Sequence, residues 1–266
     1  MMRALWTAAS GMIAQQLNVD VIANNLSNVN TTAYKKERVE FKDLMYQTLE
    51  RAYMMEDKGK PVNLQVGYGT MPIATVKNFG MGNLEKTDNP LDLTISGEGF
   101  FMVMGPTGKM QYTKDGTFKM SIADGGSKLT TSDGYPVLDD SGNEIIINVD
   151  TSKFSVSPLG ELSYTDDVGT VVPLGQTIGI VKFANKFGLE SIGSNFYMEN
   201  SASGPAVNDS ELGTKSTISQ GFLESSNVQI VEEMVKLIVA QRAYEINSKA
   251  IQSSDEMLGI ANSLRR

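Results

Sequence analysis

The sequence predicts an α+β protein in which long, coiled-coil-like helices at the two ends flank a mainly antiparallel β central domain. Three observations predict it: an apolar seven-residue repeat near the N-terminus, a second near the C-terminus, and a period of two with recurrent turn signals between them. The first repeat is Leu5, Met12, Val19 and Leu26, with Ala8, Ile22 and Val29 near the same stripe. The second is Ile230, Leu237, Tyr244, Ile251 and Leu258, with Met234 and Ala261 beside it. A period of seven held this long favours slightly supercoiled helices packed along their length, with each other or with neighbouring copies.

Residues 1–32 form the first segment, with a helix from residue 3 to about 29. About 25 residues at 1.5 Å rise span roughly 38 Å. Gly11 near the start costs about 1 kcal/mol relative to Ala, and such a helix alone in water is marginal, because most helical stability comes from packing the apolar face. The Asn-rich passage Asn24–Thr32 follows, whose amides compete for backbone hydrogen bonds and favour a helix exit and a turn.

Residues 33–87 are expected to be extended linker with short strands. Phe41, Leu44, Met45 and Leu49 make a short helical stripe there, Glu56–Pro61 reads as an exposed segment, and Val62–Val66 alternates like a strand. Residues 88–220 are the β-rich domain. Its turn signals are Asp115-Gly116, Asp124-Gly125, Asp133-Gly134, Ser141-Gly142 and Leu159-Gly160, with stretches such as Ile145–Ile147 and Gly179–Phe183 between them. A spacing of about 8–12 residues between turns suits an antiparallel sandwich or barrel. Residues 221–266 carry the second long helix, over 228–264, ending on Arg265 and Arg266, cations well placed at a helix C-terminus.

Composition narrows the function classes. The 266 residues are 41% hydrophobic and 20% charged, a globular balance. A net charge of −8 gives no support to a nucleic-acid partner. The basic run Lys35, Lys36 and Arg38 is mixed with Glu37 and Glu40 and reads as a solvated face. Cysteine and histidine are absent, which removes disulfides, a thiolate nucleophile, His-based triads and the usual zinc, copper and haem ligands. No cofactor is expected. Gly97-Glu98-Gly99 lacks the third glycine of a dinucleotide fingerprint. Asp133, Asp139, Asp140, Asp166 and Asp167 are the only semblance of paired catalytic acids, and turn chemistry accounts for them better. The methionines are read as core filling. Glu232 and Lys236 form an i,i+4 pair, while Arg242, Glu245 and Lys249 flank Tyr244, where they read as a solvated helix face or, in a packed bundle, as charges that set register or partner choice. No apolar run approaches the roughly 20 residues of a membrane span. Arg3 followed by Ala4–Ala9 is read as the start of a helix that stays on the mature chain, so export, if any, takes a route other than general secretion.

At this point particular residues match a known family. Asp20–Thr31, with Asn24, Asn25 and Asn28, closely resembles the N-terminal signature of bacterial flagellar rod and hook proteins. Gln241–Ile251, with Gln241, Arg242, Tyr244 and Asn247, resembles the matching C-terminal signature. Gly97–Phe101, Tyr112–Phe118, Gly188–Gly193, Gly221–Val228 and the total length are most similar to the distal-rod branch of the family. The resemblance covers essentially the whole chain and departs from the family mainly in residues 50–63 and 120–175. It implies a non-enzymatic subunit of the flagellar basal-body rod, exported unfolded by the flagellar type III apparatus, with termini that order on assembly. The helices would line the inner core of a hollow helical polymer and the β-domain would sit outside. Its implied partners are further copies, proximal rod proteins, the hook protein, the surrounding ring and bushing proteins and the export apparatus. The segment 50–63 aligns with the stretch that, in the distal branch, is associated with a straight, stiff tube. The implied assembly interface is Leu5, Met12, Val19, Ile22, Leu26, Val29, Ile230, Met234, Leu237, Tyr244, Ile251 and Leu258. The alternatives are a proximal-rod or hook-type subunit and, from another class, a carbohydrate-binding or carbohydrate-processing β-domain with helical arms.

Overall fold

The computed structural model describes residues 2–52, 62–123, 126–147, 153–166, 170–209 and 216–263. It is α+β, with an N-terminal helix, a mainly antiparallel β-rich region and a C-terminal helix. The chain divides into two compact units, residues 1–27, 37–78 and 229–266 in one and residues 28–36 and 79–228 in the other. Most of segment 50–63, the turn Asp124-Gly125, Asp167 and the terminal Arg265 and Arg266 lie outside the described residues.

In the first unit, α1 (Met2–Ser27) packs against α2 (Ile230–Ser263). Four strands accompany them: β1 (Glu37–Asp43), β2 (Tyr46–Glu50), β3 (Leu64–Gly67) and β4 (Thr70–Lys77). β1 pairs with β4 from Glu37↔Lys77 to Asp43↔Thr70, with a register shift between Glu40 and Phe41. β2 pairs with β3 from Tyr46↔Gly67 to Glu50↔Leu64. The expected helical stripe Phe41, Leu44, Met45 and Leu49 is therefore wrong: Phe41 lies in β1 and Leu49 in β2, in two separate two-stranded ribbons, and Leu44 and Met45 connect them. Positions four apart share a face in a strand as they do in a helix, so a short apolar run does not distinguish the two periods. Strand partners supplied by β3 and β4 decide the matter. The turn between β3 and β4 approaches α1 closely. Gly69 has a φ of 109°, and a Cβ there would lie 2.1 Å from Ser10 Oγ, so only glycine fits.

The second unit is built on a six-stranded antiparallel sheet in the order Glu190–Gly193, Phe196–Met198, Met110–Thr113, Phe100–Met104, Ile180–Lys182, Val207–Asn208. The strand Phe100–Met104 is apolar throughout because both of its faces are covered. Phe101 and Val103 enter a large cluster with Phe118, Leu129, Ile145 and Leu162, while Phe100 and Met102 enter a second with Tyr112, Leu138 and Tyr197. That alternation is the pleat acting on a doubly buried strand. In the second cluster Phe79, Phe100 and Tyr197 meet edge to face, with centroids 5.4 to 5.8 Å apart. The predicted period of two also governs Ile145–Ile147: Ile145 and Ile147 are fully buried, and Ile146 points out. Gly134, Gly142 and Gly160 adopt positive φ in turns closed by hydrogen bonds to Thr131, Asp139 and Ser157. Asp139 serves local backbone bonding, accepting from the amides of Asp140 and Thr177 and from Thr177 Oγ1.

Two further expectations fail. Lys35 is not on a solvated face but wholly buried. Its Nζ donates to Glu224 Oε1 at 2.5 Å and to the Gly80 carbonyl at 2.9 Å, and Glu224 Oε1 also accepts from the Gly82 amide at 2.6 Å. The backbone of residues 33–36 is strapped to the same place, through Ala33 N–H to Glu224 O and Lys36 N–H to Asn227 Oδ1. Burial pushes the Lys35 ammonium below its ordinary value, and the Glu224 carboxylate opposes that shift. A charged run in sequence carries no sign of which member will meet a buried partner 189 residues away. Most of the methionines are not core filling either, although Met102 is buried and Met104 and Met120 pack against the two clusters. Among the described residues only Met102 is buried, whereas Met2, Met45, Met71, Met81, Met110, Met234 and Met257 are exposed. An unbranched, adaptable thioether suits surfaces awaiting a partner as well as it suits cores.

Candidate assembly interface

α1 and α2 run antiparallel. Asn25 near the end of α1 meets Glu233 near the start of α2, Gln16 and Val19 share a groove with Gln241 and Tyr244, and Gly11 meets Asn247. Arg3 and Thr7 border a second recess with Asn247 and Ala250.

The α2 face that meets α1 follows alternating steps of four and three: Glu233, Leu237, Ala240, Tyr244, Asn247, Ile251, Ser254 and Leu258. Glu233, Ala240 and Ser254 are buried, Leu237, Asn247, Ile251 and Leu258 are half-buried, and Tyr244 is more open. The predicted apolar repeat is thus one of two rows on this face. The other row, Glu233, Ala240, Asn247 and Ser254, also has a period of seven but is small or polar. Its polarity hid it from a reading of hydrophobic periodicity.

Small residues let the helices approach. Ala8 and Ala14 are buried on α1. A Cβ on Gly11 would lie 2.8 Å from Asn247 Nδ2, which gives the helix-weakening glycine its purpose. Asn25 is the polar centre of the unit. Its amide donates to the Glu37 carbonyl at 2.8 Å and to Glu233 Oε2 at 3.2 Å, and its Oδ1 accepts from the Glu37 amide at 2.9 Å. One buried side chain thereby ties α1 to β1 and to α2.

Glu233 is a buried carboxylate that accepts from Asn25 and from Lys236 Nζ at 2.9 Å. Lys236 also meets Glu232 at 3.0 Å, the predicted i,i+4 pair. Partial burial works against the Lys236 charge, but its bonds to Glu233 and Glu232 outweigh that and hold it above its ordinary value.

The remaining predicted positions are spread around the helices. Ile22 is buried; Leu5, Met12, Val19 and Leu26 are half-buried; Ile230 and Met234 are about half exposed. Val29 and Asn28 fall in the second unit, where Asn28 accepts from the Thr31 amide and hydroxyl. Asn24 is on the exposed side of α1. Gln241 lines a groove of about 370 Å³ with Gln16, Val19, Tyr244 and Glu245, and Arg242 pairs with Glu245 at 2.9 Å on its rim. Glu233 and Lys35 are the residues that sequence reasoning missed. Glu233 had a visible signal, since it stands seven residues before Ala240 and fourteen before Asn247.

Chemically, this arrangement orients and joins helices. Among the described residues no group of three or more acidic side chains is placed to hold a metal ion.

Three family models match the chain: "Flagella basal body rod protein" over residues 5–35, "Flagellar hook protein FlgE/F/G D1 domain" over 94–164, and "Flagellar basal body rod FlgEFG protein C-terminal" over 219–264. The first and last fall on the two helices and their hydrogen-bonded ends. The flagellar basal-body rod protein FlgG of Borreliella burgdorferi is 49% identical over 275 residues, covering 100% of both chains. That of Buchnera aphidicola (from Schizaphis graminum) is 42% identical over 263 residues, covering 97% of this chain and 98% of the relative. That of Bacillus subtilis is 39% identical over 269 residues, again covering 100% of both. With matches of this identity running from end to end, and with the family's terminal signatures forming the packed helix pair, the chain belongs to the flagellar basal-body rod protein family, a structural and not an enzymatic class.

Proposed function

We propose that the chain is a subunit of the distal rod that polymerises into a straight, hollow helical shaft, transmitting torque from motor to hook around the export channel. One observation carries this reading: after α1 and α2 have packed together, both still expose large apolar side chains, among them Trp6, Ile13, Val239, Ile246 and Ile260. Exposed apolar surface of that extent marks a protein-interaction face. An elongated helix pair with uncovered apolar sides is completed by neighbours, and contacts that do not close on themselves build a filament.

In the polymer the helix pairs take on coiled-coil packing and form the inner wall. The rod positions the subunit between proximal rod proteins and the hook protein, within the ring proteins, after delivery through the export apparatus. The relatives' printed name, flagellar basal-body rod protein, supports the location.

The experiment is complementation of a bacterium whose own copy of this gene is deleted. Restored swimming, with the chain recovered in purified basal bodies, is the expected result. A chain that is expressed and folded yet absent from basal bodies refutes the proposal.

A further inference from the structure

After α1 the chain leaves the helix unit at residue 28 and returns to it at residue 37, and residues 28–36 belong to the β-rich unit. There the passage is a docked strap. Ala33, Tyr34 and Lys35 are 1%, 7% and 0% exposed. Ala33 holds a φ of 56°, a left-handed conformation disfavoured for any residue with a Cβ. Its amide donates to the Glu224 carbonyl at 2.7 Å, and such strain persists only where the surroundings over-determine it. The Thr32 carbonyl accepts from Asn195 Nδ2 at 2.9 Å, and the Tyr34 carbonyl accepts from the Asn227 amide at 3.4 Å.

Glu224 and Asn227 stand on the segment that leads into α2. That segment is itself fixed in the β-rich unit. Phe222–Glu224 pairs with Leu84–Lys86, and the Ser225 amide donates to the Asn83 carbonyl at 2.8 Å. The chain that follows α1 is thus fastened to the chain that precedes α2. In the helix unit the two roots meet at the Asn25–Glu233 hydrogen bond, between residues 208 apart in sequence.

We propose that the strap is a latch that templates the helix pair: docked, it holds the roots of α1 and α2 together, and the pair closes from Asn25 and Glu233 outward to the chain ends. The effect is entropic. With the strap docked, the loop closed by that hydrogen bond runs about 17 residues, Asn25 to Ala33 and Glu224 to Glu233; undocked, it runs about 65, by way of the Asn83–Ser225 bond. Closure probability falls as the 3/2 power of loop length, so docking favours the pair about eightfold. A helix alone begins with an unfavourable nucleus, and a fixed root supplies the contact from which it propagates. The latch belongs to one molecule and holds whether or not that molecule enters a shaft.

Hydrogen exchange of the full-length monomer, followed by mass spectrometry, tests it. In the wild type the roots, residues 22–25 and 233–237, should exchange at least about tenfold more slowly than the far ends, residues 4–11 and 251–262. Ala33→Pro removes the donor to Glu224 and cannot take a positive φ. It should speed exchange at both roots about eightfold while the strand Phe100–Met104 keeps its protection. Wild-type roots that exchange as fast as the far ends overturn the latch. So does root protection that stays unchanged in a variant whose strap amides exchange freely. If Ala33→Pro also costs the Phe100–Met104 strand its protection, Asn227→Ala is read by the same criteria, since it removes the acceptor for the Lys36 amide and the donor to the Gly80 carbonyl.

Discussion

Replacing Lys35 by methionine isolates the buried polar knot of the second unit. The ammonium is fully buried, and its loss leaves the Glu224 carboxylate, itself buried, with the Gly82 amide but without its bonded cation, and the Gly80 carbonyl without the Lys35 donor. Removing one partner of a buried ion pair costs about 3–5 kcal/mol, because an uncompensated charge remains. For a unit of this size, about 4 kcal/mol lowers the unfolding midpoint by roughly 10 °C. The assay is thermal and urea denaturation of the full chain followed by near-ultraviolet circular dichroism, which reports the Phe100–Tyr112–Tyr197 cluster of the same unit.

The double variant Lys35→Met, Glu224→Leu discriminates between charge and packing. With no stranded carboxylate, it should recover at least half of the loss, since buried pairs replaced by apolar residues are often neutral or better. A single variant as stable as the wild type, or a double variant worse than the single, would refute the account of Lys35 as a partner held in place by Glu224.

Ile22→Asp or Leu237→Asp should abolish incorporation into the polymer while leaving the near-ultraviolet spectrum of the second unit unchanged; normal swimming in either variant sinks the role of the helix seams. Asn25→Asp keeps the shape but turns the donor to Glu37 O and Glu233 into an acceptor, and should weaken the helix unit by about 2–4 kcal/mol, seen as less polymer and less helical dichroism. Lys114, buried and bonded to the Gly97 carbonyl, is held down to about 8, chiefly by burial, with Lys35 adding to the shift and Glu224 opposing it. Between about pH 8 and about 10.5 the unfolded chain binds the more protons, so stability rises with pH by up to about 3 kcal/mol and is lost as pH falls through 8. Lys114→Met should flatten that slope, and an unchanged slope assigns it elsewhere.

The legible parts of the sequence were those in which one period dominates. The helices end within about three residues of their expected bounds, because heptads over that length admit no strand reading. Ile145–Ile147 and the turn glycines followed the same logic. Phe41–Leu49 was misread because a run of nine residues fits two periods. Lys35 and Glu233 were illegible for a different reason: polarity predicts exposure unless a partner is present, and both partners are distant in sequence, Glu224 for Lys35 and Asn25 for Glu233. The seam residues of α1 were legible as apolar, but periodicity alone does not say which helix each apolar residue meets. The buried positions prove to be Ala8, Ala14, Val21, Ile22 and Asn25, with Leu5 and Met12 toward the side.

That division of labour has a physical logic. The row of α2 that meets α1 within the subunit alternates apolar residues with Glu233, Ala240, Asn247 and Ser254, and its contacts with α1 include the Asn25–Glu233 hydrogen bond and the Gly11–Asn247 fit. Polar groups at such seam positions fix register and orientation at a cost in strength. The side chains that the helix pair leaves open, among them Trp6, Ile13, Val239, Ile246, Met257 and Ile260, are instead large and apolar, the kind that contributes most when covered. Within the subunit these polar contacts decide how the helices align. In the polymer proposed above, contacts between copies would then add the apolar burial that the subunit lacks, and folding of the arms would be coupled to growth of the shaft.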